Sequence, residues 1–299
     1  MIDVEYLAAK SLKYKQDVMR MAYRRQSGHL STAFSQMDIL VTLYHGGILK
    51  YDPANPRWEG RDRFIMSKGQ GGIGLYPILA DLGFFPKEEL DRFAAPGGIL
   101  GVHCEDNIPG IEMLTGSLGH GLGLALGKAR ALRDDGNDAM VVVLTGDGEL
   151  CEGSNWEAML NIAHQQLGHL VVIVDHNGGA TIGHLDKIDG VNDGPRLDSI
   201  VDKFKSFGFL AFPTDGHDIK AMWGRFKVWI ERKCPQYAAP VALVCDTVKG
   251  KGIKSMEDGS FFPTHYRLPM GADLEKALKN LGMDAVEFKT EVGGENVGY

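Results

Sequence analysis

Residues 140–179 read MVVVLTGDGELCEGSNWEAMLNIAHQQLGHLVVIVDHNGG. Two short β-branched runs, Met140 to Thr145 and Leu170 to Asp175, enclose a stretch with helical periodicity from Asn155 to Gln166. Both runs are continuously apolar rather than alternating, as parallel strands covered on two faces are. Ser154 and Glu157 stand in the S-x-x-E spacing of a capping box at the start of the intervening helix. Twenty-eight residues separate Gly148 from Asn177, the length of one strand–helix–strand crossover. The segment therefore predicts two adjacent parallel strands. One ends on Gly146-Asp147-Gly148 and the other on His176-Asn177-Gly178-Gly179.

Outward from this unit the pattern repeats. Phe64 to Ser67 and Val241 to Asp246 read as further buried strands. They run into Lys68-Gly69-Gln70-Gly71-Gly72 and Thr247-Val248-Lys249-Gly250-Lys251-Gly252. Helical periodicity covers Val4 to Arg25, Phe34 to Tyr44, Leu118 to Arg133 and Asp218 to Arg232. The alternation predicts an α/β fold, a doubly wound and mostly parallel sheet flanked by helices. Such sheets bind ligands just beyond the carboxyl ends of their strands. Four glycine-rich or polar exits form one rim there if the strands are neighbours. Residues 1–270 are expected as one domain. Residues 271–299 are expected as a C-terminal helix, Ala272 to Leu281, and a polar tail.

Composition narrows the class. Of 299 residues, 44% are hydrophobic and 24% charged, as in ordinary globular domains. The net charge of −7 argues against nucleic acid as the main partner. Cys104, Cys151, Cys234 and Cys245 form no C-x-x-C pair and no zinc-like cluster, so free thiols in a reducing cytoplasm are expected. No signal peptide and no apolar run near the roughly 18 residues of a membrane span is visible. A soluble, cytoplasmic protein is the expectation. Gly119-His120-Gly121-Leu122-Gly123 lacks the G-x-G-x-x-G spacing of a dinucleotide site.

At the centre of the rim Asp147 offers a hard carboxylate oxygen and Asn177 a neutral one. Magnesium takes near-octahedral oxygen ligation, with one or two protein side chains and the rest from phosphate and water. One carboxylate, one amide oxygen and a backbone carbonyl leave the protein charge at the metal at −1, suited to a cation shared with an anionic cofactor.

Gly146-Asp147-Gly148 followed by Asn177 resembles the thiamine-diphosphate motif, and GDGELCEGSNWEA with VVIVDHNGGATIG resembles transketolases in particular. The resemblance runs from about Ser27 to Pro269. Ser27-Gly28-His29, Arg63 to Gly69, Pro109-Gly110-Ile111-Glu112 with Thr115 to Gly119, and Thr247 to Gly252 followed by His265 each resemble a transketolase segment. It implies that Asp147, Asn177 and the Gly179 carbonyl bind Mg²⁺. It also implies that Gly146, Gly148, Glu149, Asn177, Lys249 and His265 lie at the cofactor diphosphate, with Gly116, Ser117 and Leu118 at its aminopyrimidine. His29, His103, His265, Gln70 and Glu152 would serve substrate and catalysis, Glu152 at a subunit interface. His120, His164, His169, His176 and His217 carry no such implication, and His176 is expected to be structural.

Two positions depart from the family pattern. Gln70 stands where transketolases carry histidine; it hydrogen-bonds but holds no charge. His103 stands in Gly101-Val102-His103-Cys104-Glu105, where the family reads G-H-P-[DE]. Full-length transketolases continue into a second domain whose glutamate pairs with the aminopyrimidine, and this chain ends at about that boundary. The resemblance thus implies a second subunit carrying the pyrimidine-binding and C-terminal domains, an α2β2 assembly, and ketol transfer between sugars or sugar phosphates. The alternatives are decarboxylating transfer, as in deoxyxylulose-phosphate synthase or a pyruvate dehydrogenase E1 component, and a non-catalytic cofactor-binding paralogue.

Overall fold

In the computed structural model, residues 2–180, 183–184, 199–231, 239–257 and 267–293 are described. The strands are β1 (Arg63–Met66), β2 (Val141–Gly146), β3 (Leu170–His176), β4 (Gly179–Ala180), β5 (Gly183–His184), β6 (Leu210–Asp215) and β7 (Val241–Asp246). Five of them make one wholly parallel sheet in the order β1-β2-β3-β7-β6, and β4 and β5 form a small antiparallel pair beside it. The four strands expected from the sequence are all present, their bounds displaced by at most one residue. They are also consecutive neighbours in the sheet, so their exits share one edge.

The strand β6 was not legible. Within Leu210–Asp215 Ala211 and Thr214 are buried, without regular alternation, and the strand contains Pro213. Among the described residues it pairs with β7 alone and closes the sheet as an edge strand, the position where a proline's missing N–H is tolerated.

Eleven helices are described: α1 (Val4–Arg25), α2 (Leu30–Ser35), α3 (Met37–Tyr44), α4 (Gly72–Leu82), α5 (Gly121–Asp134), α6 (Gly153–His164), α7 (Ile200–Ser206), α8 (Ile219–Glu231), α9 (Lys254–Glu257), α10 (Ala272–Asn280) and α11 (Ala285–Val292). Successive strand residues point to opposite faces. Phe64, Met66, Val142, Leu144, Val171 and Ile173 pack with α1–α4, α8, α10 and α11 on one side. Ile65, Val141, Val143, Val172 and Val174 pack with α5, α6 and α7 on the other. Each such side chain, fully buried, contributes about 1.5–3 kcal/mol, which is why both faces of these strands are apolar. Among the described residues no helix is long and apolar enough to cross a membrane.

Several local expectations change. The single helix expected over Phe34 to Tyr44 is two, broken at Gln36. There Ser35 Oγ bonds the Asp175 carboxylate at 2.6 Å and Gln36 Nε2 bonds the Gly71 carbonyl at 2.7 Å. The capping box does not form: α6 begins after Glu152, and Ser154 Oγ donates instead to the Gly119 carbonyl at 2.8 Å. The helix α4 was masked in the sequence by its glycines and Pro77, yet nine of its residues are buried. After α10 the chain, polar in sequence, forms α11, capped by Asp284 on the Val286 and Glu287 amides at 2.9 Å. Phe288 of α11 packs edge-on against Tyr23 of α1, with ring centroids 5.3 Å apart.

Asp81, near the end of α4, ties that helix to α1. Its carboxylate accepts from Tyr14 Oη at 2.8 Å, Lys13 Nζ at 3.0 Å, Lys87 Nζ at 2.8 Å and Lys10 Nζ. Although burial alone would raise it, the lysines and Tyr14 hold the carboxyl well below its ordinary value. A depressed folded value stabilises the fold above the unfolded carboxyl's value of about 3.9, and the contribution disappears as pH falls through the folded value. In urea denaturation, Asp81→Asn should therefore be less stable than wild type at neutral pH. The gap should narrow steadily below about pH 4; a gap that does not change with pH would refute the assignment.

Candidate cofactor site

The register of β2 and β3 builds the centre of the site. Gly146 lies opposite Asp175, and Asp147 N–H bonds the Asp175 carbonyl at 3.2 Å, extending the ladder by one rung. Asp147 and Asn177 therefore leave the sheet side by side. The Asp147 side chain is buried, and its two oxygens accept from Gly148 N–H at 2.8 Å and Gly178 N–H at 2.6 Å. Gly178 makes this possible by turning at φ +72°, where other residues are strained. Asn177 Oδ1 accepts from Gly179 N–H at 3.2 Å. Gly148 comes so close to the next turn that a Cβ there would lie 3.0 Å from the Ala180 Cβ. Burial and the neighbouring Asp175 carboxylate push the Asp147 carboxyl up to about 6.

Asp175 itself is completely buried and fully partnered. It accepts from Lys68 Nζ, from Thr247 Oγ1, and from Ser35 Oγ at 2.6 Å. These donors come from the exits of β1 and β7 and from α2. They hold the Asp175 carboxyl below its ordinary value despite burial, Lys68 being the strongest of them. Lys249, beyond β7, is buried and donates to the Gly179 carbonyl at 3.3 Å. Burial lowers its ammonium to about 8, against the pull of Asp147.

Glu149, expected as a cofactor contact, is engaged by the protein itself. Its carboxylate turns inward to Ser67 Oγ, Gly119 N–H at 3.0 Å and Gly146 N–H at 3.3 Å. It clamps three loops together, and its oxygens are spent on protein donors rather than facing the rim.

Two of the three sequence-predicted histidines come together. His29 stands at the N-cap position of α2 without a side-chain capping bond, and its ring centroid lies 5.9 Å from that of His103. Burial, helped by His103 and Lys249, lowers His29 to about 4, so it is neutral at pH 7. The His103 ring lies over Gly116, where an added Cβ would stand 3.6 Å from it. Gln70 is half-buried in the 3₁₀ turn Gly69–Gly71, and Gly69 abuts the Thr115 backbone. The turn that carries Gln70 and the ring of His103 thus both adjoin the 115–119 loop. Within that loop Ser117 is exposed and Leu118 half-buried. Glu152 is exposed at the start of α6 and packs beside Gly119. His265 lies outside the described residues. His176 bonds Asp246 at 2.7 Å, at the rim but turned to a strand neighbour.

Sequence reasoning missed Ser35, Lys68, Asp175 and Thr247, the polar knot beneath the site. The available signal was Asp175, an acid at the end of an otherwise apolar strand. Among the described residues no three His, Cys, Asp or Glu side chains converge as a metal centre. The oxygens that leave the same edge of β2 and β3 are one carboxylate, one amide oxygen and one carbonyl. That hard-oxygen set fits magnesium rather than zinc. The Gly179 carbonyl already draws a cation, the Lys249 ammonium.

The family of transketolase thiamine diphosphate binding domains matches residues 14–292. The 6-deoxy-6-sulfo-D-fructose transketolase subunit SqwG of a Clostridium species is 35% identical over 231 residues, 77% of this chain and 80% of that protein. One of the subunits of the apulose-4-phosphate transketolase of Phocaeicola vulgatus is 31% identical over 98% of this chain and 100% of its own length. The crystal structure of transketolase from Campylobacter jejuni superposes with a TM-score of 0.82 at 25% identity, over 97% of this chain but 46% of that one. The chain thus spans under half of a full transketolase while matching separate transketolase subunits over most or all of their length. Its parallel sheet, the Asp147–Asn177 edge and these matches together establish that the chain belongs to the transketolase family and carries that family's thiamine diphosphate binding domain.

Proposed function

We propose that this chain is the thiamine-diphosphate- and Mg²⁺-binding subunit of a heteromeric transketolase, transferring a two-carbon ketol unit from a ketose to an aldose. The observation that carries the reading is the meeting of Asp147, Asn177 and the Gly179 carbonyl at one edge of β2 and β3. In this reading those three oxygens hold Mg²⁺, and Gly148 and Lys249 lie against the diphosphate. When bound, thiamine diphosphate supplies the carbon nucleophile and electron sink. The neutral His29, with His103 and Gln70, hydrogen-bonds the sugar hydroxyls rather than presenting a fixed cation.

Asp147→Ala removes the carboxylate from the proposed metal ligands and should abolish Mg²⁺-dependent cofactor binding; Asn177→Ala should weaken it strongly. Isothermal titration with and without Mg²⁺ measures both, and unchanged affinity in Asp147→Ala would defeat the metal assignment.

Two relatives are named as subunits of transketolases, which supports a second chain here, in an α2β2 assembly. Glu152, exposed beside Gly119, would then lie where the two chains meet. The purified chain should fold yet catalyse no ketol transfer at any cofactor concentration, and adding the pyrimidine-domain subunit should restore turnover. Turnover by the chain alone would refute the two-chain reading.

The same relatives are named for a sulfonated fructose and for apulose 4-phosphate, so an unusual sugar is within reach of this reading. Gln70 is then a working substrate contact. Gln70→His should lower kcat/KM for the true donor by roughly 2- to 13-fold, the worth of a lost neutral hydrogen bond of about 0.5–1.5 kcal/mol. A variant that gains activity on xylulose 5-phosphate and loses none on any other donor would leave the specialised role without support.

A further inference from the structure

His217 stands outside the rim, yet its ring joins the core to the turn that carries Lys249. Nε2 lies 2.9 Å from the Val248 backbone nitrogen, and Nδ1 lies 2.8 Å from Asp38 Oδ2. An amide nitrogen only donates, so Nε2 must accept, and the ring proton sits on Nδ1 and is given to Asp38. Asp38 is itself fixed: Ser11 Oγ bonds its other oxygen at 2.5 Å, and Lys15 Nζ stands 3.8 Å away. The His217 turn is latched to the sheet as well, through Gly216 N–H on the Asp246 carbonyl at 2.8 Å and His217 N–H on Asp215 Oδ1 at 2.8 Å.

The turn held in this way passes through the site. Thr247 Oγ1 bonds Asp175, Lys249 Nζ reaches the Gly179 carbonyl, and Gly250 N–H bonds the Ser31 carbonyl at 3.0 Å. Val248 N–H lies between the first two, and its acceptor is the His217 ring.

We propose that His217 is a positioning residue for the cofactor site. Asp38 sets its tautomer, and Nε2 holds the Val248 amide so that Lys249 stays over the Gly179 carbonyl. This rests on the reading of Lys249 and Gly179 as flanking the Mg²⁺–diphosphate. It resembles the way an outer carboxylate orients a histidine in a metal site, with a backbone amide in place of the metal.

Two substitutions separate the two ends of the ring. His217→Asn keeps a donor near Nδ1 for Asp38 and removes the acceptor for Val248. His217→Gln keeps an acceptor near Nε2 and gives up the Asp38 contact. The full chain is followed by amide hydrogen exchange with residue resolution at Val248 and Lys249. Its affinity for Mg²⁺–thiamine diphosphate is titrated in the presence of the pyrimidine-domain partner, and thermal denaturation confirms folding. In His217→Asn, Val248 should exchange faster and the cofactor Kd should rise, each by about 2- to 13-fold. In His217→Gln both should stay within about twofold of wild type. The proposal is overturned if Val248 stays protected in His217→Asn, if the two variants lose affinity equally, or if Val248 is released with no change in Kd. Failure of wild type to bind thiamine diphosphate at all would instead sink the functional reading, while the exchange data would still decide whether His217 holds Val248.

Discussion

The site depends on the ion pair between Lys68 and Asp175, buried beneath the strand exits. A fully buried carboxylate in the interior is tolerated only when its charge and lone pairs are met, and removing one partner of such a pair destabilises by about 3–5 kcal/mol. Asp175 gathers Lys68 after β1, Thr247 after β7 and Ser35 from α2. One carboxylate thereby draws three separate chain segments to the carboxyl end of β3, two residues before Asn177. The loops could not stand where they do without it.

That arrangement divides the work between two acids on neighbouring strands. Asp175 has a resident cation and is held below its ordinary value, whereas Asp147 meets two backbone amides and is pushed up to about 6. Environments that drive two neighbouring carboxyls apart in this way assign them different roles. Asp175 is neutralised by the protein and serves the fold. Asp147 is met only by backbone amides among its hydrogen-bond donors, and in the proposed reading its charge serves the Mg²⁺. Glu149 adds a third acid, again satisfied internally, whose bonds to Ser67, Gly119 and Gly146 set the height of the surrounding loops.

The histidine side of the rim is built on different terms. His29 and His103 lie ring beside ring in a partly buried corner, where burial favours the neutral form of His29. Gln70, in the nearby Gly69–Gly71 turn, brings no charge of its own. The positive charge comes from Lys249, which lowers His29 and is itself drawn toward Asp147. Lys249 therefore connects the Asp147–Gly179 edge to the His29–His103 corner, and what holds its backbone bears on both.

Much of this was written along the chain. Apolar runs such as Val141–Leu144 and Leu170–Val174 have to be covered on both faces, so their composition declares parallel strands, and one crossover between them places Asp147 next to Asn177. The spacing of glycine and polar residues after each run marks the rim. Edge strand β6 and helix α4 escaped because Pro213 and the glycines of α4 weaken local signals that packing then overrides. Only the tertiary structure decided the polar knot and the supports. Asp175 finds Ser35 140 positions away, Lys68 107 away and Thr247 72 away, and His217 finds Asp38 179 away. Period and spacing report how one element faces its neighbours; which side chains meet across several elements is set by how those elements pack, and no local pattern carries that information.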